Sequence, residues 1–210
     1  MKSVNVPIRV LIADDHKIVR AGLAALLGTE KDIEVVGFAE NGRDAVAQAM
    51  KLQPDVVIMD LMMPVMDGAE ATAEIHQTLP QVKVLILTTF GTSDGIAHAL
   101  SAGATGAFMK NADNADLAAA IRRVRRGEQA ISPEISRQLE LDPPIPDLTP
   151  RQEDILASVT RGLTNAEIAR QFGIREQSVK EYVNQICVKL GAANRAEAVA
   201  IALRKHLLGL

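Results

Sequence analysis

Residues 55–68 have the sequence DVVIMDLMMPVMDG, and this stretch decides the fold. Four apolar residues, 56–59, end at the acidic Asp60, and the turn-forming pair Asp67 and Gly68 follows. A short apolar run that is bounded by turn residues indicates a strand buried on both faces, as in a parallel sheet. Asp60 is therefore expected at the carboxyl end of such a strand, where open α/β sheets carry their functional groups.

Similar apolar runs alternate with amphipathic stretches over residues 1–127. The alternation predicts an α/β fold with a parallel five-stranded sheet and helices on both faces. The runs do not define the strand order, and we predict the flavodoxin-like order. Strands are predicted at residues 8–14, 33–39, 55–60, 82–88 and 106–110. Helices are predicted at residues 16–27, 42–51, 68–77, 94–101 and 116–126. In the first helix, the predicted inward stripe includes Ile18, Leu23 and Leu27.

The composition is that of a globular protein, because 48% of the 210 residues are hydrophobic and 23% are charged. No apolar run is long enough to span a bilayer, so no membrane partner is expected. The one cysteine, Cys187, excludes an internal disulfide. A single free thiol is typical of a reducing compartment, and we expect the protein in the cytoplasm.

Residues 128–147 differ in character from the rest and are predicted to be a linker. They contain 5 acidic residues against 1 basic residue and carry three prolines near their end. Proline at that density favours extended backbone, although a short helix is predicted after Ser132 and Pro133. We therefore expect a domain at 1–127 and a second domain at 148–210.

The second domain is predicted to be all-helical and is the only net basic part, with 9 basic residues against 6 acidic residues. Thr149 and Thr164 each begin a capping box, which is typical of a helix start. A third helix is predicted at about 176–190 and a fourth at 195–208. Helix, glycine-containing turn and helix are the pattern of a DNA-binding unit.

Five polar residues are predicted at or just after strand ends on one edge of the sheet. They are Asp14, Asp15, Asp60, Thr88 and Lys110. Each residue alone is typical of a solvated loop or a cap, but their convergence indicates a site. Three close carboxylates require a cation, and hard oxygen ligands suit Mg²⁺. The predicted chemistry is phosphoryl transfer with Asp60 as acceptor, while Thr88 and Lys110 contact the phosphoryl group.

Residues 1–127 resemble the receiver domain of two-component response regulators. The resemblance is carried by the acidic pair Asp14 and Asp15, by Asp60 within DLMMPVMDG, by Thr88 within LILTTF and by Lys110 within GATGAFMK. It implies that Asp60 accepts a phosphoryl group from a sensor histidine kinase. It also implies that Asp15, Asp60 and the backbone carbonyl of Met62 hold Mg²⁺, with Asp14 supporting the metal through water.

Residues 148–199 resemble a LuxR-type helix-turn-helix domain, and both parts together resemble the NarL/FixJ class of response regulators. The resemblance implies transcription regulation through binding of double-stranded promoter DNA, with RNA polymerase as a further candidate partner. A homodimer through the last helix is also implied, with contacts at Val199, Ala202 and Leu203. Residues on the outward face of the third helix are expected to contact DNA: Gln177, Ser178, Lys180, Glu181, Asn184 and Lys189.

Several positions depart from the pattern of this class. Ala107 stands where an aromatic ring often swings inward on activation. Arg175 replaces the usual Ser or Thr cap of the DNA-binding helix, and Glu181 puts a negative charge on its outward face. Met62 and Phe90 are bulky and apolar, and we hypothesise that they hinder attacking water and prolong the lifetime of the phosphoryl group.

We expect a phosphorylation-dependent transcription regulator and not an enzyme, but two alternatives remain. The acidic site could serve a metal-dependent hydrolase with an aspartyl-phosphate intermediate, although Met62 occupies the position where such enzymes carry a general acid. Alternatively, Arg175 and Glu181 could mark a helical domain that binds protein and has lost DNA binding.

Overall fold

The computed structural model describes residues 6–89, 92–144, 148–205 and 207. The contacts divide the chain into two compact units, Met1–Pro143 and Pro144–Leu210. Each unit has its own apolar core and is described by itself. Phe90 lies outside the described residues, so its predicted role near the acidic site stays a prediction.

The first unit is built on a parallel sheet whose described strands follow the order β2-β1-β3-β4-β5-β6. The flavodoxin-like order predicted for the first five strands is confirmed. The strands are β1 (Ile8–Ala13), β2 (Ile33–Ala39), β3 (Val56–Met59), β4 (Lys83–Thr88), β5 (Gly106–Met109) and β6 (Ala130–Ile131). The helices are α1 (Lys17–Leu27), α2 (Gly42–Leu52), α3 (Gly68–Thr78), α4 (Ser93–Ser101), α5 (Asn114–Arg125) and α6 (Pro133–Leu141).

Alternate residues of the central strands enter two different apolar cores. In β3, Val57 and Met59 belong to the core that α2, α3 and α4 also line, and Val56 and Ile58 belong to the core that α1 and α5 also line. All four side chains are buried. The structure therefore confirms a strand covered on both faces, which delivers Asp60 to the sheet edge.

The sixth strand and the helix α6 correct two of the predictions. The sheet has six described strands where five were predicted, and most of the predicted linker 128–147 is ordered within the first unit. The strand β6 pairs with β5, and a Cβ atom on Gly106 would lie 2.2 Å from the carbonyl oxygen of Ala130. Only glycine permits this close approach. The helix predicted after Ser132 is present as α6, and its Ile135 is fully buried in the core.

In its described residues, the second unit comprises the helices α7 (Pro150–Thr160), α8 (Asn165–Phe172), α9 (Glu176–Leu190) and α10 (Arg195–Arg204). Thr149 and Thr164 form the predicted capping boxes at the starts of α7 and α8. Gly173 ends α8 with a φ of 64°, a left-handed conformation that glycine adopts without strain. The last helix ends at Arg204 and not at the predicted 208, which lies outside the described residues.

None of the helices in the described residues combines the length and the hydropathy that a membrane span needs.

Candidate functional site

The carboxyl ends of four neighbouring strands bring the predicted acidic site together. Asp14 follows β1, Asp60 follows β3, Thr88 ends β4 and Lys110 follows β5. Backbone hydrogen bonds fix this edge, because Asp60 N–H donates to the carbonyl of Ala13 at 2.8 Å and Lys110 N–H donates to that of Thr88 at 2.8 Å. The parallel register therefore positions these side chains as the sequence predicted.

Lys110 joins the two buried carboxylates of the site. Its Nζ atom lies 2.6 Å from Oδ2 of Asp14 and 2.8 Å from Oδ2 of Asp60. Asp14 is 1% exposed and Asp60 is 5% exposed, so both negative charges are largely removed from water. An ammonium group that contacts both carboxylates compensates part of that desolvation.

The surroundings change the proton affinity of both partners. Burial raises the pKa of the Asp60 carboxyl group, and the hydrogen bond and charge of Lys110 only partly offset this effect. For Lys110, burial acts against the charged form, but the hydrogen bonds to Asp14 and Asp60 outweigh it and raise the pKa of the ammonium group. Lys110 therefore stays positively charged at neutral pH, beside the acid that is expected to react.

The oxygen atoms of the site fit a divalent cation. Asp14, Asp15, His16 and Asp60 each offer a ligand atom, and these atoms all lie within 4.8 Å of one another. Carboxylate oxygens with access to solvent are the ligands that Mg²⁺ prefers. Met62, whose backbone carbonyl was also predicted as a ligand, lies in the loop after β3 with an exposed side chain.

Two residues of this edge were missed by the sequence analysis. His16 lies against Asp15, with 2.7 Å between Nδ1 and Oδ1, and its backbone N–H donates to Oδ1 of Asp14 at 2.8 Å. Arg20 is buried and donates to the backbone carbonyl of Asp14 at 2.6 Å, while it also pairs with Glu40. The available signal for Arg20 was a lone charged residue within the otherwise apolar stretch 18–27.

A pocket of about 410 Å³ opens over Asp60. Thr88 is buried and lines this pocket together with Met62, Lys110, His16, Val19 and Thr89. Thr88 thus lies on the same pocket as the carboxylate of Asp60, where its hydroxyl is expected to contact a phosphoryl group. Ala107 is fully buried in β5, in the same core as Ile135 of α6. Because residue 107 is alanine, it carries no aromatic ring.

The loop after Asp60 has little freedom. A Cβ atom on Gly68 would lie 2.1 Å from the carbonyl oxygen of Asp60, so the start of α3 can lie this close to Asp60 only because residue 68 is glycine. Gly68 N–H donates to the carbonyl of Leu61 at 2.9 Å. Val65 adopts a φ of 72°, an uncommon and strained conformation for a β-branched residue.

The helix α9 presents most of the residues predicted to contact DNA. Gln177, Lys180, Glu181 and Asn184 are exposed, whereas Ser178 is half-buried. Val179, Ile186 and Leu190 face the core of the unit, as predicted. Lys189 is half-buried and its Nζ atom donates to Oε1 of Gln152 at 2.9 Å, so its amine is engaged within the unit.

The start of α9 has the predicted defect. Arg175 occupies the N-cap position with extended backbone and makes no side-chain capping hydrogen bond. By contrast, Thr164 caps the preceding helix by accepting from the N–H of Glu167. The first N–H groups of α9 therefore lack the acceptor that a Ser or Thr would supply.

The residues predicted as dimer contacts on α10 differ in their exposure. Leu203 is 54% exposed and Val199 is half-buried. Ala202 is only 1% exposed because it packs in the core with Ile155 and Ile201. The structure thus corrects the prediction for Ala202, which has no surface to offer to a second copy. The other two stay predictions.

Family models of known proteins match residues in both units of the chain. Residues 10–122 match the family model described as the response regulator receiver domain, and residues 146–202 match that of the bacterial regulatory proteins of the luxR family. The response regulator protein VraR of Staphylococcus aureus strain NCTC 8325 is 39% identical over 206 residues, which are 96% of this chain and 99% of the relative.

Solved structures of similar proteins cover both units. The response regulator ChrA of a heme-sensing two-component system is 34% identical with a TM-score of 0.58, over 96% of this chain and 99% of that one. A structure of two RcsB dimers bound to two parallel DNAs is 26% identical with a TM-score of 0.67, over 94% of this chain and 98% of that one.

Proposed function

The chain belongs to the two-component response regulators that join a receiver domain to a LuxR-type DNA-binding domain, and from this premise we propose its specific chemistry. We propose that Asp60 accepts a phosphoryl group from a phosphohistidine of a sensor histidine kinase. The phosphorylated protein then regulates transcription by binding promoter DNA through α9. Such a regulator acts in the cytoplasm, and RNA polymerase is the further partner that this role predicts.

The contact of the Lys110 ammonium group with the buried carboxylates of both Asp60 and Asp14 is the observation that supports this proposal most strongly. An oxygen of the Asp60 carboxylate attacks phosphorus, the bond from phosphorus to the histidine nitrogen breaks, and the imidazole leaves with the electron pair. Lys110 and the hydroxyl of Thr88 then contact the oxygens of the new acyl phosphate. These groups position and stabilise charge, and phosphoryl transfer depends mainly on such effects.

The metal-ion proposal is supported by the donor set of the same pocket. Asp14, Asp15 and Asp60 provide the carboxylate oxygens, and the backbone carbonyl of Met62 remains a proposed ligand. A bound Mg²⁺ would neutralise negative charge on the phosphoryl oxygens and on the carboxylates. Lys110 contacts two of these carboxylates and supplies a further positive charge at the same site.

The DNA-binding proposal is supported by the exposed face of α9 and by the family. RcsB, a similar protein, has been solved bound to DNA. Here Lys180 provides a positive charge for phosphate contact, and Gln177 and Asn184 provide amide groups for base edges. We also propose that phosphorylation favours a homodimer, because two linked domains bind paired half-sites through a high effective concentration.

The proposed coupling between phosphorylation of Asp60 and DNA binding is tested by measuring DNA affinity with and without a small-molecule phosphodonor and Mg²⁺. Affinity of the wild-type chain is expected to rise on phosphorylation, and Asp60→Asn is expected to keep the unphosphorylated affinity under both conditions. Asp113→Asn serves as the matched control, because Asp113 is exposed and lies outside the acidic pocket. Equal affinity of the wild type under both conditions, with phosphorylation verified, would overturn the proposed coupling.

A further inference from the structure

The exposed face of α9 is centred on an acidic residue. In an α-helix, residues whose spacing alternates between four and three lie on one face, along a line parallel to the helix axis. On α9 the line opposite the buried residues consists of Gln177, Glu181, Asn184 and Val188, all of them exposed. Lys180 lies at the side of this line. A carboxylate at the centre of the surface that enters a DNA groove demands an explanation, because it faces a strongly anionic partner.

Glu181 is exposed on α9. Among the residues that the structure describes, none makes a hydrogen bond or an ion pair with its carboxylate. Two other glutamates of the same unit are used locally, since Glu167 completes a capping box and Glu197 accepts from the N–H of Ala193 at 2.8 Å. The carboxylate of Glu181 is therefore available to an external hydrogen-bond donor.

The chemistry of the major groove narrows the possible donor. An ionised carboxylate can only accept hydrogen bonds. Phosphates and the N7 and O6 atoms of guanine offer acceptors, so they repel it. Adenine offers its N6 amino group beside the acceptor N7. Cytosine presents the N4 amino group without an acceptor of its own beside it, and it is the base to which Glu and Asp side chains are suited.

We propose that Glu181 recognises a cytosine in the major groove by accepting a hydrogen bond from its N4 amino group. This inference rests on the proposed DNA-binding function, and it adds that α9 requires a cytosine at one position of the DNA site. Lys180, one residue away and at the side of the exposed line, contacts phosphate and offsets the repulsion that the carboxylate meets. Glu181 thereby lowers the affinity for unrelated sequences and raises the specificity for sites that contain the C·G pair.

The test is selection of binding sites from random duplex DNA by the full-length protein, followed by affinity measurements on the selected site and its single-base-pair variants. The proteins compared are the wild type, Glu181→Ala, Glu181→Gln and the control Glu153→Gln. Glu153 is an exposed glutamate in the first turn of α7, so the control makes the same charge change elsewhere on the unit. Thermal melting of each variant verifies that the fold is retained.

For the wild type, replacing the recognised C·G pair is expected to reduce affinity about tenfold or more. In Glu181→Ala this preference falls below about twofold, while affinity for unrelated duplexes increases. In Glu181→Gln the preference moves from cytosine towards adenine, which suits an amide. Glu153→Gln keeps the wild-type preferences.

Wild-type binding without any required C·G pair would overturn the inference and leave the DNA-binding function intact. Retention of the full preference for cytosine by Glu181→Ala would also overturn the inference and leave the DNA-binding function intact. If the phosphorylated and unphosphorylated wild-type proteins both fail to bind any duplex, the proposed DNA-binding function fails together with the inference.

Discussion

The Nζ atom of Lys110 lies 2.8 Å from Oδ2 of Asp60, the residue expected to accept phosphate. The same nitrogen lies 2.6 Å from Oδ2 of Asp14. One cation thus holds two buried acids that would otherwise repel each other. In the receiver unit, Met1–Pro143, the carboxylate of Asp60 is therefore desolvated and charge-paired, and its removal from water raises its pKa.

Replacing Lys110 by Met is expected to lower the free energy of unfolding at neutral pH by about 1–3 kcal/mol, because it leaves the carboxylates of Asp14 and Asp60 buried without their cation. Urea denaturation in the absence of divalent metal measures the change. Lys51→Met removes an exposed lysine from α2 and is expected to alter stability by less than about 0.5 kcal/mol. Equal stabilities of the two variants would contradict a structural role for the Lys110 pair.

Gly68→Ala is expected to destabilise the receiver unit by about 1–3 kcal/mol and to slow phosphorylation, because the new methyl group collides with the carbonyl oxygen of Asp60. Gly22→Ala is the control, since a Cβ atom there has no neighbour within 4 Å and the residue lies within α1. That substitution is expected to be neutral or to stabilise by up to about 1 kcal/mol. Calorimetry and the phosphorylation rate measure both effects. Wild-type stability and a wild-type phosphorylation rate in Gly68→Ala would contradict the importance of the close approach between residue 68 and the carbonyl oxygen of Asp60.

Arg122 connects α5 to the loop before β2 through Asp32, with 2.8 Å from Nε to Oδ2 and 2.6 Å from Nη2 to Oδ1. The hydrogen bond from Arg122 lowers the pKa of Asp32 below its ordinary 3.8. The folded state therefore binds this proton less readily than the unfolded state, and the resulting stabilisation is present above pH of about 4 and is lost as the pH falls through the lowered pKa.

Arg122→Gln is accordingly expected to cost up to about 1 kcal/mol at pH 7, a value limited by solvent screening. The difference from the wild type should shrink below pH of about 4. Denaturation curves across this pH range measure the trend. Arg126→Gln, which breaks an exposed pair with Glu128, is expected to produce no measurable change. A difference that persists undiminished at low pH would exclude the pair with Asp32 as its cause.

Arg175→Ser is expected to stabilise the second unit by about 0.5–2 kcal/mol, because serine supplies the missing capping acceptor at the start of α9. Thr164→Ala is the matched opposite, since it removes an existing cap and should destabilise by a similar amount. Helical circular dichroism during thermal unfolding measures both variants. A loss of stability in Arg175→Ser would contradict this prediction, because it would mean that Arg175 stabilises the unit by more than a serine cap does.

The convergence of Asp14, Asp60 and Lys110 could be predicted because each residue directly follows a strand. A buried parallel strand has a strong apolar pattern, and the residue after it must emerge at the sheet edge. The inward stripe of α1 was predicted less well, because Ile18 proves to be 87% exposed and Arg20 is buried in its place. Arg20 turns inward to reach the carbonyl of Asp14, a tertiary contact that helical periodicity does not contain.

The inclusion of β6 and α6 in the receiver unit could not be predicted from local pattern, although the helix after Ser132 was predicted. β6 has two residues, too few to show an alternation, and its pairing depends on the missing side chain of Gly106. The acidic and proline-rich surroundings of α6 resembled a linker, although one buried residue, Ile135, fixes this helix to the core. For Ala202, helical spacing placed an apolar residue on α10 but did not distinguish packing within the unit from contact with a second copy.

The most direct test of the account is to locate the phosphoryl group after incubation with a small-molecule phosphodonor and Mg²⁺. Intact-protein mass spectrometry is expected to show one added phosphoryl group, peptide mapping should place it on Asp60, and Asp60→Asn should remain unmodified. Modification of Asp14 or Asp15 in the wild type, or no modification of a folded protein, would contradict the assignment of Asp60 as the phosphoacceptor.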